Sequence, residues 1–287
     1  MTEYEYREFP LERAGVSLHL DRVRLTGESG RRNILLVHGV TYSSHEFDLD
    51  YRDYSLVRFL ARAGYAVWRL DIAGYGRSGE VEDGFAPDSD YAAEDVRAAA
   101  ELILRESGEK TLDLLGWSWG TVTAGRFAAR NPSLPRRLAL YAPILTGVGR
   151  ETVAEPFHHN SWEHAANDFQ KTAEGGFDPD AAEKTVIELY CSLCWRFDGE
   201  RSPNGGRRDI CVERDRELIP LEKIKAPTLV IYGDRDPYLN YPRIEGALSR
   251  LPKGSELAVI PGGSHMLMLE KPYYRQFQDR LVRFFSE

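Results

Sequence analysis

The pentad Gly116-Trp117-Ser118-Trp119-Gly120 is where residue types and spacing in this 287-residue sequence first point to covalent chemistry. A serine hydroxyl is a poor nucleophile until a histidine takes its proton. That histidine needs a carboxylate to fix its tautomer and stabilise the imidazolium. With 25 glycines in the chain, the pattern G-x-S-x-G alone carries little. Its setting carries more, because TLDLLGWS (111 to 118) reads as a strand and the following residues as a helix to about Arg130, stopped by Asn131-Pro132. A strand-to-helix turn this tight forces unusual dihedrals on the serine and crowds the residues two positions to either side, so glycine occupies both. The hydroxyl is then presented at a helix N-terminus, where the macrodipole favours a developing oxyanion.

The partners should stand on later strand ends. After the strand APTLVIYGD (226 to 234), two acids are available, Asp234 and Asp236, and after SELAVIPG (255 to 262) the run PGGSHMLMLEKP supplies His265. These segments belong to a longer rhythm of apolar strands and helix-length amphipathic stretches. VSLHLDRVRL (16 to 25) alternates like an antiparallel strand, and TGESGRR is a turn before NILLVHG (33 to 39). A helix near 55 to 63, the strand AVWRLD (66 to 71), a helix near 91 to 105, the strand RRLALYAP (136 to 143), a helix from Pro242 and a terminal helix after Pro272 complete it. Near-continuous apolar strands alternating with helices predict a mostly parallel sheet covered on both faces, an α/β fold.

Between Thr146 and Leu221 the rhythm breaks. The segment carries EGGFDPD and SPNGGRR turns around helical stretches such as AAEKTVIELYCSLCW, and we read it as an insert, with a core formed by 1–145 and 222–287. It holds nine Lys+Arg and fifteen Asp+Glu, which is −6 of the chain's net −8. A solvated charged face accounts for this most simply; a functional consequence would be mild exclusion of anionic ligands from any site it covers.

The motifs HGVTYS, DIAGYGRSG, GWSWG, YGDRDP and GGSH occur in the order found in the α/β-hydrolase family, and the sequence resembles that family over nearly its whole length. The resemblance implies an eight-stranded, mostly parallel sheet flanked by helices, with a mainly helical cap inserted after the sixth strand. It implies Ser118 as nucleophile, His265 as base and, three residues past Gly233, Asp236 as the acid, leaving Asp234 to hydrogen-bond the loop. The oxyanion donors would be the backbone N–H of Trp119, directly after the nucleophile, and by resemblance that of Val40 after His38-Gly39; each such donor is worth about 3 to 4 kcal/mol. Trp117 and Trp119 flank the nucleophile and are candidate substrate contacts, with core packing as the alternative. DIAGYGRSG reads as a turn-rich structural loop, His38 as structural and His45 as solvated.

Serine at 118 disfavours the members of the family that attack with a carboxylate. The leading expectation is hydrolysis of a carboxylic ester or lactone of an uncharged, partly apolar small molecule. A carbon-carbon bond hydrolase acting on diketones and a proline-releasing aminopeptidase would use the same triad, although the peptidases typically show GGSWG at the elbow, where this chain has Trp117. A ligand-binding receptor on the same fold is the non-enzyme alternative.

Composition narrows the rest. A net charge of −8, with no basic run longer than two residues, gives no footprint for nucleic acid or an anionic membrane. The N-terminus lacks the apolar core of a secretory signal, and no apolar run is long enough to span a bilayer. Cys191, Cys194 and Cys211 are an odd count in a chain too large to need disulfides. These features predict a cytoplasmic protein without cofactor or metal. The C-x2-C pair reads as one helix face rather than a zinc site, because no second ligand pair stands at regular spacing. Oligomeric state is not encoded in any feature above.

Overall fold

The computed structural model describes residues 3–28 and 32–287. In chain order the elements are β1 (Tyr4–Arg13), β2 (Val16–Leu25), β3 (Arg32–Val37), α1 (Leu56–Arg62), β4 (Tyr65–Leu70), α2 (Ser89–Ser107), β5 (Leu112–Trp117), α3 (Trp119–Arg130) and β6 (Pro135–Tyr141). An inserted stretch then carries β7 (Phe157–His159), α4 (Trp162–Ala166), α5 (Lys184–Asp198), β8 (Arg201–Pro203) and α6 (Gly205–Ile210). The chain returns with β9 (Thr228–Gly233), α7 (Tyr241–Ala247), β10 (Glu256–Ile260) and α8 (Tyr273–Ser286). Eight strands form one sheet in the order β1-β2-β4-β3-β5-β6-β9-β10, and β7 pairs with β8 outside it. Only the β1-β2 and β2-β4 pairings in the large sheet are antiparallel. The α/β architecture and eight-stranded sheet are therefore as expected.

The alternation along β3 shows how the sheet divides the core. Ile34 and Leu36 point into a cluster with Leu60 of α1 and Phe277 of α8, while Leu35 and Val37 join Val96 of α2, Val122 of α3 and Ile244 of α7 on the other face. β4, β5 and β9 are buried throughout, which is why their sequences are unbroken apolar runs. Helix ends follow their local chemistry. The Ser55 hydroxyl accepts from the Arg58 N–H at 3.0 Å, and Asp88 Oδ1 accepts from the Asp90 and Tyr91 N–H groups, so α2 starts at Ser89, slightly earlier than its apolar pattern implies.

Residues 4–13 form β1 without an apolar signal in the sequence: only Phe9 along it is buried, and as the outer strand of an antiparallel edge it carries Glu, Arg and Pro10 without an apolar alternation. One expectation needs correction. SPNGGRR is not simply a turn, since Gly205-Gly206 open α6. A Cβ on Gly206 would lie 2.4 Å from the Trp119 ring and one on Gly205 would lie 2.6 Å from the Pro87 carbonyl oxygen, so these glycines serve close packing. The turn expected at 26 to 32 lies partly outside the described residues. Among those described, no helix is long and apolar enough to cross a membrane.

Candidate active site

β5 ends at Trp117 and α3 begins at Trp119, leaving Ser118 as the single residue between them, at φ 55° and ψ −123°. A positive φ is costly for serine and persists only where neighbours over-determine it. They do so here: the Ser118 N–H donates to the Tyr141 carbonyl at 3.0 Å, and the Ser118 carbonyl accepts from the Thr121 hydroxyl at 2.6 Å. The glycine requirement is equally concrete. A Cβ on Gly116 would sit 2.2 Å from the Gly120 carbonyl oxygen, and one on Gly120 would sit 2.3 Å from that of Val37.

His265 follows β10 and Asp236 follows β9, neighbouring parallel strands whose C-terminal ends lie side by side. His265 Nδ1 is 2.7 Å from Asp236 Oδ2, and both side chains are buried. The other carboxylate oxygen, Oδ1, accepts from the Tyr238 N–H at 3.0 Å. Burial alone would lower the His265 pKa, but the Asp236 charge and hydrogen bond outweigh it, and the net shift is upward. Asp234 takes the other role, accepting from the Gly262 N–H at 2.7 Å. The Tyr238 ring meets the imidazole edge to face at 4.8 Å, and its hydroxyl donates to Asp168 at 2.6 Å.

Ser118 and His265 line one cavity of about 240 Å³, small for a ligand site. Val40 and Thr41 from the loop after β3, Ile144 after β6, and Pro237 and Tyr238 beside Asp236 form its floor and walls. Residues of the inserted stretch, among them Val148, His164, Asp168 and Arg207, complete it. Larger clefts of about 600 and 840 Å³ exist, but neither contains Ser118 or His265, so volume does not locate the chemistry. Trp119 is the first residue of α3, so its N–H has no intrahelical acceptor; among the described residues neither this N–H nor that of Val40 has a partner.

The flanking indoles do not behave as candidate substrate contacts. Trp119 is fully buried between His38 and Tyr75 and donates its Nε1–H to the Ser89 hydroxyl at 2.9 Å. Trp117 stacks on Tyr141 and packs against His265 from below. Neither ring lines the cavity, because residues on either side of a strand-to-helix elbow point back into the two core layers. His38 is structural: Nδ1 is 2.8 Å from the Gly39 carbonyl and Nε2 accepts from the Ile72 N–H at 3.1 Å. His45 is buried rather than solvated, stacked on Phe197 of α5, and burial lowers its pKa to about 3. Only the packing of the inserted stretch over the loop hides it.

Cys191 and Cys194 lie on the buried face of α5 within the core, and burial pushes the Cys191 thiol up to about 12. Among the described residues no cluster of His, Cys, Asp and Glu could hold a metal ion. The loop DIAGYGRSG is organised by Asp71, which accepts from the Ser44 N–H at 2.9 Å and the Arg77 N–H at 3.0 Å. Five cavity residues were not singled out in the sequence: Thr41 stood within HGVTYS, directly after Val40, and Tyr238 two residues past Asp236, whereas His164, Asp168 and Arg207 had no motif to mark them.

The chain resembles known proteins over most of its length. The mouse protein serine hydrolase BPHL is 30% identical over 258 residues, covering 89% of this chain and 79% of that one. The pimeloyl-[acyl-carrier protein] methyl ester esterase of Neisseria meningitidis (serogroup C) is 27% identical over 249 residues, covering 82% and 86%. Among solved structures, an esterase from Thermogutta terrifontis superposes with a TM-score of 0.69 at 16% identity, covering 98% of each chain, which speaks to the fold alone. Residues 34–275 match the model of the alpha/beta hydrolase family, and this chain belongs to that family.

Proposed function

We propose that this hydrolase cleaves carboxylic esters, lactones included, of small molecules, with Ser118 as nucleophile, His265 as general base and Asp236 as its orienting acid. The observation that carries the reading is the 2.7 Å contact between His265 Nδ1 and Asp236 Oδ2, which leaves Nε2 for the serine, in the same cavity as a Ser118 held at positive φ. Neutral His265 takes the proton as Ser118 Oγ attacks the acyl carbon. The tetrahedral oxyanion forms against the N–H groups of Trp119 and Val40. His265 then returns the proton to the departing alcohol, and a water deprotonated by the same nitrogen hydrolyses the acyl-enzyme, restoring Ser118 and releasing the acid.

Residues 146–221 act in this reading as a cap, since they supply more of the lining than the core does. Val40, Ile144, Val148, Ile210 and Pro237 give the cavity its apolar part. The relative named above as a serine hydrolase supports a serine nucleophile, and the one named as a methyl ester esterase supports ester cleavage over peptide or carbon-carbon cleavage. Three free cysteines fit a reducing, cytoplasmic setting.

A series of p-nitrophenyl esters of increasing acyl length tests this. Turnover well above that of Ser118→Ala is expected for the shorter acyl groups, together with labelling of Ser118 by a fluorophosphonate. Absence of both would remove the esterase reading.

A further inference from the structure

The inserted stretch is acidic overall, yet what it presents to the cavity is different. Its charged lining residues are Glu151, Asp168, Arg207 and Arg214, two of each sign. Asp168 is engaged by the Tyr238 hydroxyl, and Glu151 is an exposed residue facing the Cys211 thiol at 4.0 Å. Arg207 is only partly exposed and stands on α6 beside the reacting loop. Its Nη2 donates to the hydroxyl of Thr41, the residue after Val40, and lies 3.5 Å from His164 Nε2; its Nε donates to the side-chain amide oxygen Oδ1 of Asn204 at 3.2 Å.

These partners share one property: none carries a negative charge. Asn204 and Thr41 are neutral, and burial followed by the Arg207 charge itself keeps His164 below its ordinary pKa, hence neutral. Among the described residues, no carboxylate lies within 4 Å of the guanidinium of Arg207 or of Arg214. The contrast with other partly buried arginines here is plain, since Arg69 is flanked by Asp21 and Asp48 and Arg126 by Asp90 and Asp209. Partly buried charges are normally paired. Arg207 is instead positioned by neutral acceptors, and its Nη1 donors have no partner among the described residues.

We propose that Arg207 binds a free carboxylate carried by the substrate, so that the ester cleaved is a monoester of a small dicarboxylic acid or an ester whose alcohol half bears a carboxylate. The proposal rests on the esterase reading and replaces the expectation of an uncharged substrate. A guanidinium whose Nε and Nη2 are pinned presents its remaining edge in a fixed direction, which suits a planar carboxylate. Because Thr41 adjoins Val40, the anchor sits next to the loop that would supply an oxyanion donor. Charge pairing and ester positioning are thereby coupled. Arg214, exposed at the rim, adds a second positive charge along the approach.

The test uses matched chromogenic esters. Mono-4-nitrophenyl glutarate carries the carboxylate on the acyl side and 4-acetoxybenzoate carries it on the leaving side; 4-nitrophenyl pentanoate and methyl 4-acetoxybenzoate are their neutral counterparts. One of the two anionic esters is expected to exceed its neutral counterpart in kcat/KM by about 10- to 100-fold, the range of a charge-assisted hydrogen bond. Which one does so identifies the half that bears the charge. Arg207→Gln should collapse that ratio toward one, and Arg207→Lys, which keeps the charge without the fork, should leave an intermediate ratio.

Calorimetry with Ser118→Ala and glutarate reads the same anchor without turnover, and binding should weaken at least tenfold when Arg207→Gln is added. An anionic-to-neutral ratio at or below one in the wild type, or one unchanged in Arg207→Gln, overturns the proposal. Failure of every ester, neutral or anionic, combined with no fluorophosphonate labelling of Ser118, removes the esterase reading instead; the glutarate measurement then still decides whether Arg207 binds a carboxylate.

Discussion

His265 and Asp236 come from the ends of adjacent parallel strands and meet at 2.7 Å in a buried position, while Asp234, two residues earlier, turns away to hold the Gly262 N–H. The two acids are separated in role by which loop donor each can reach. Asp236→Asn is expected to lower kcat by about 10³- to 10⁴-fold, because the amide favours the wrong imidazole tautomer. Asp234→Asn should cost less than about tenfold. Steady-state kinetics on a p-nitrophenyl ester would decide, and the reverse order would move the acid to Asp234.

The pH dependence follows from the upward shift of His265, in which the Asp236 charge overcomes burial. If His265 is the general base proposed above, it works only when neutral, so the rate is expected to fall as pH drops through the raised value. The midpoint of the acid limb of kcat/KM is expected above the ordinary histidine value of 6.5. A rate that stayed flat from pH 8 down to pH 5 would exclude His265 as the base.

The elbow glycines are fixed by contact distance. Gly120→Ala places a methyl against the Val37 and His38 carbonyl oxygens, at 2.3 and 2.6 Å, and should destabilise the protein by about 3 kcal/mol or more or prevent folding. Gly246→Ala on α7, where a Cβ meets nothing within 4 Å, is expected to stabilise by about 0.4 to 1 kcal/mol. Thermal melts of the pair separate steric demand from mere glycine content.

Asp198, at the end of α5, ties the inserted stretch to the core. It accepts from the Ser43 N–H and hydroxyl at 3.1 and 3.2 Å and from the Gly76 N–H at 3.0 Å. Asp198→Ala strands two backbone donors and is expected to cost about 2 to 4 kcal/mol, whereas Arg150→Ala, which breaks an exposed pair with Glu213, should leave the melting temperature unchanged.

Burial, followed by the Asp71 charge, raises the Asp198 carboxyl to about 8 from its ordinary value of 3.8. A raised folded value means the folded state holds its proton longer. This contribution to stability is complete below the unfolded value and lost as pH rises through about 8, at no more than about 1.4 kcal/mol per pH unit. Denaturant melts from pH 6 to 9 should show that slope in the wild type and a shallower one in Asp198→Ala.

The core strands were legible because parallel interior strands bury both faces and so leave unbroken apolar runs, and the elbow was legible because steric crowding admits only glycine at 116 and 120. The same local logic singled out Ser118 as a candidate, while the choice of Asp236 over Asp234, and of His265 as base, rested on the family resemblance. Strand β1 was illegible because its edge position demands no apolar alternation. What surrounds these candidates was decided only in three dimensions. Two tryptophans adjacent to Ser118 in sequence face the core, while Arg207, 89 positions away, faces the cavity. A segment's net charge says nothing about which of its side chains point inward. The acidic stretch therefore places unpaired arginines beside the candidate nucleophile, because orientation is set by how α6 packs on the core and not by composition.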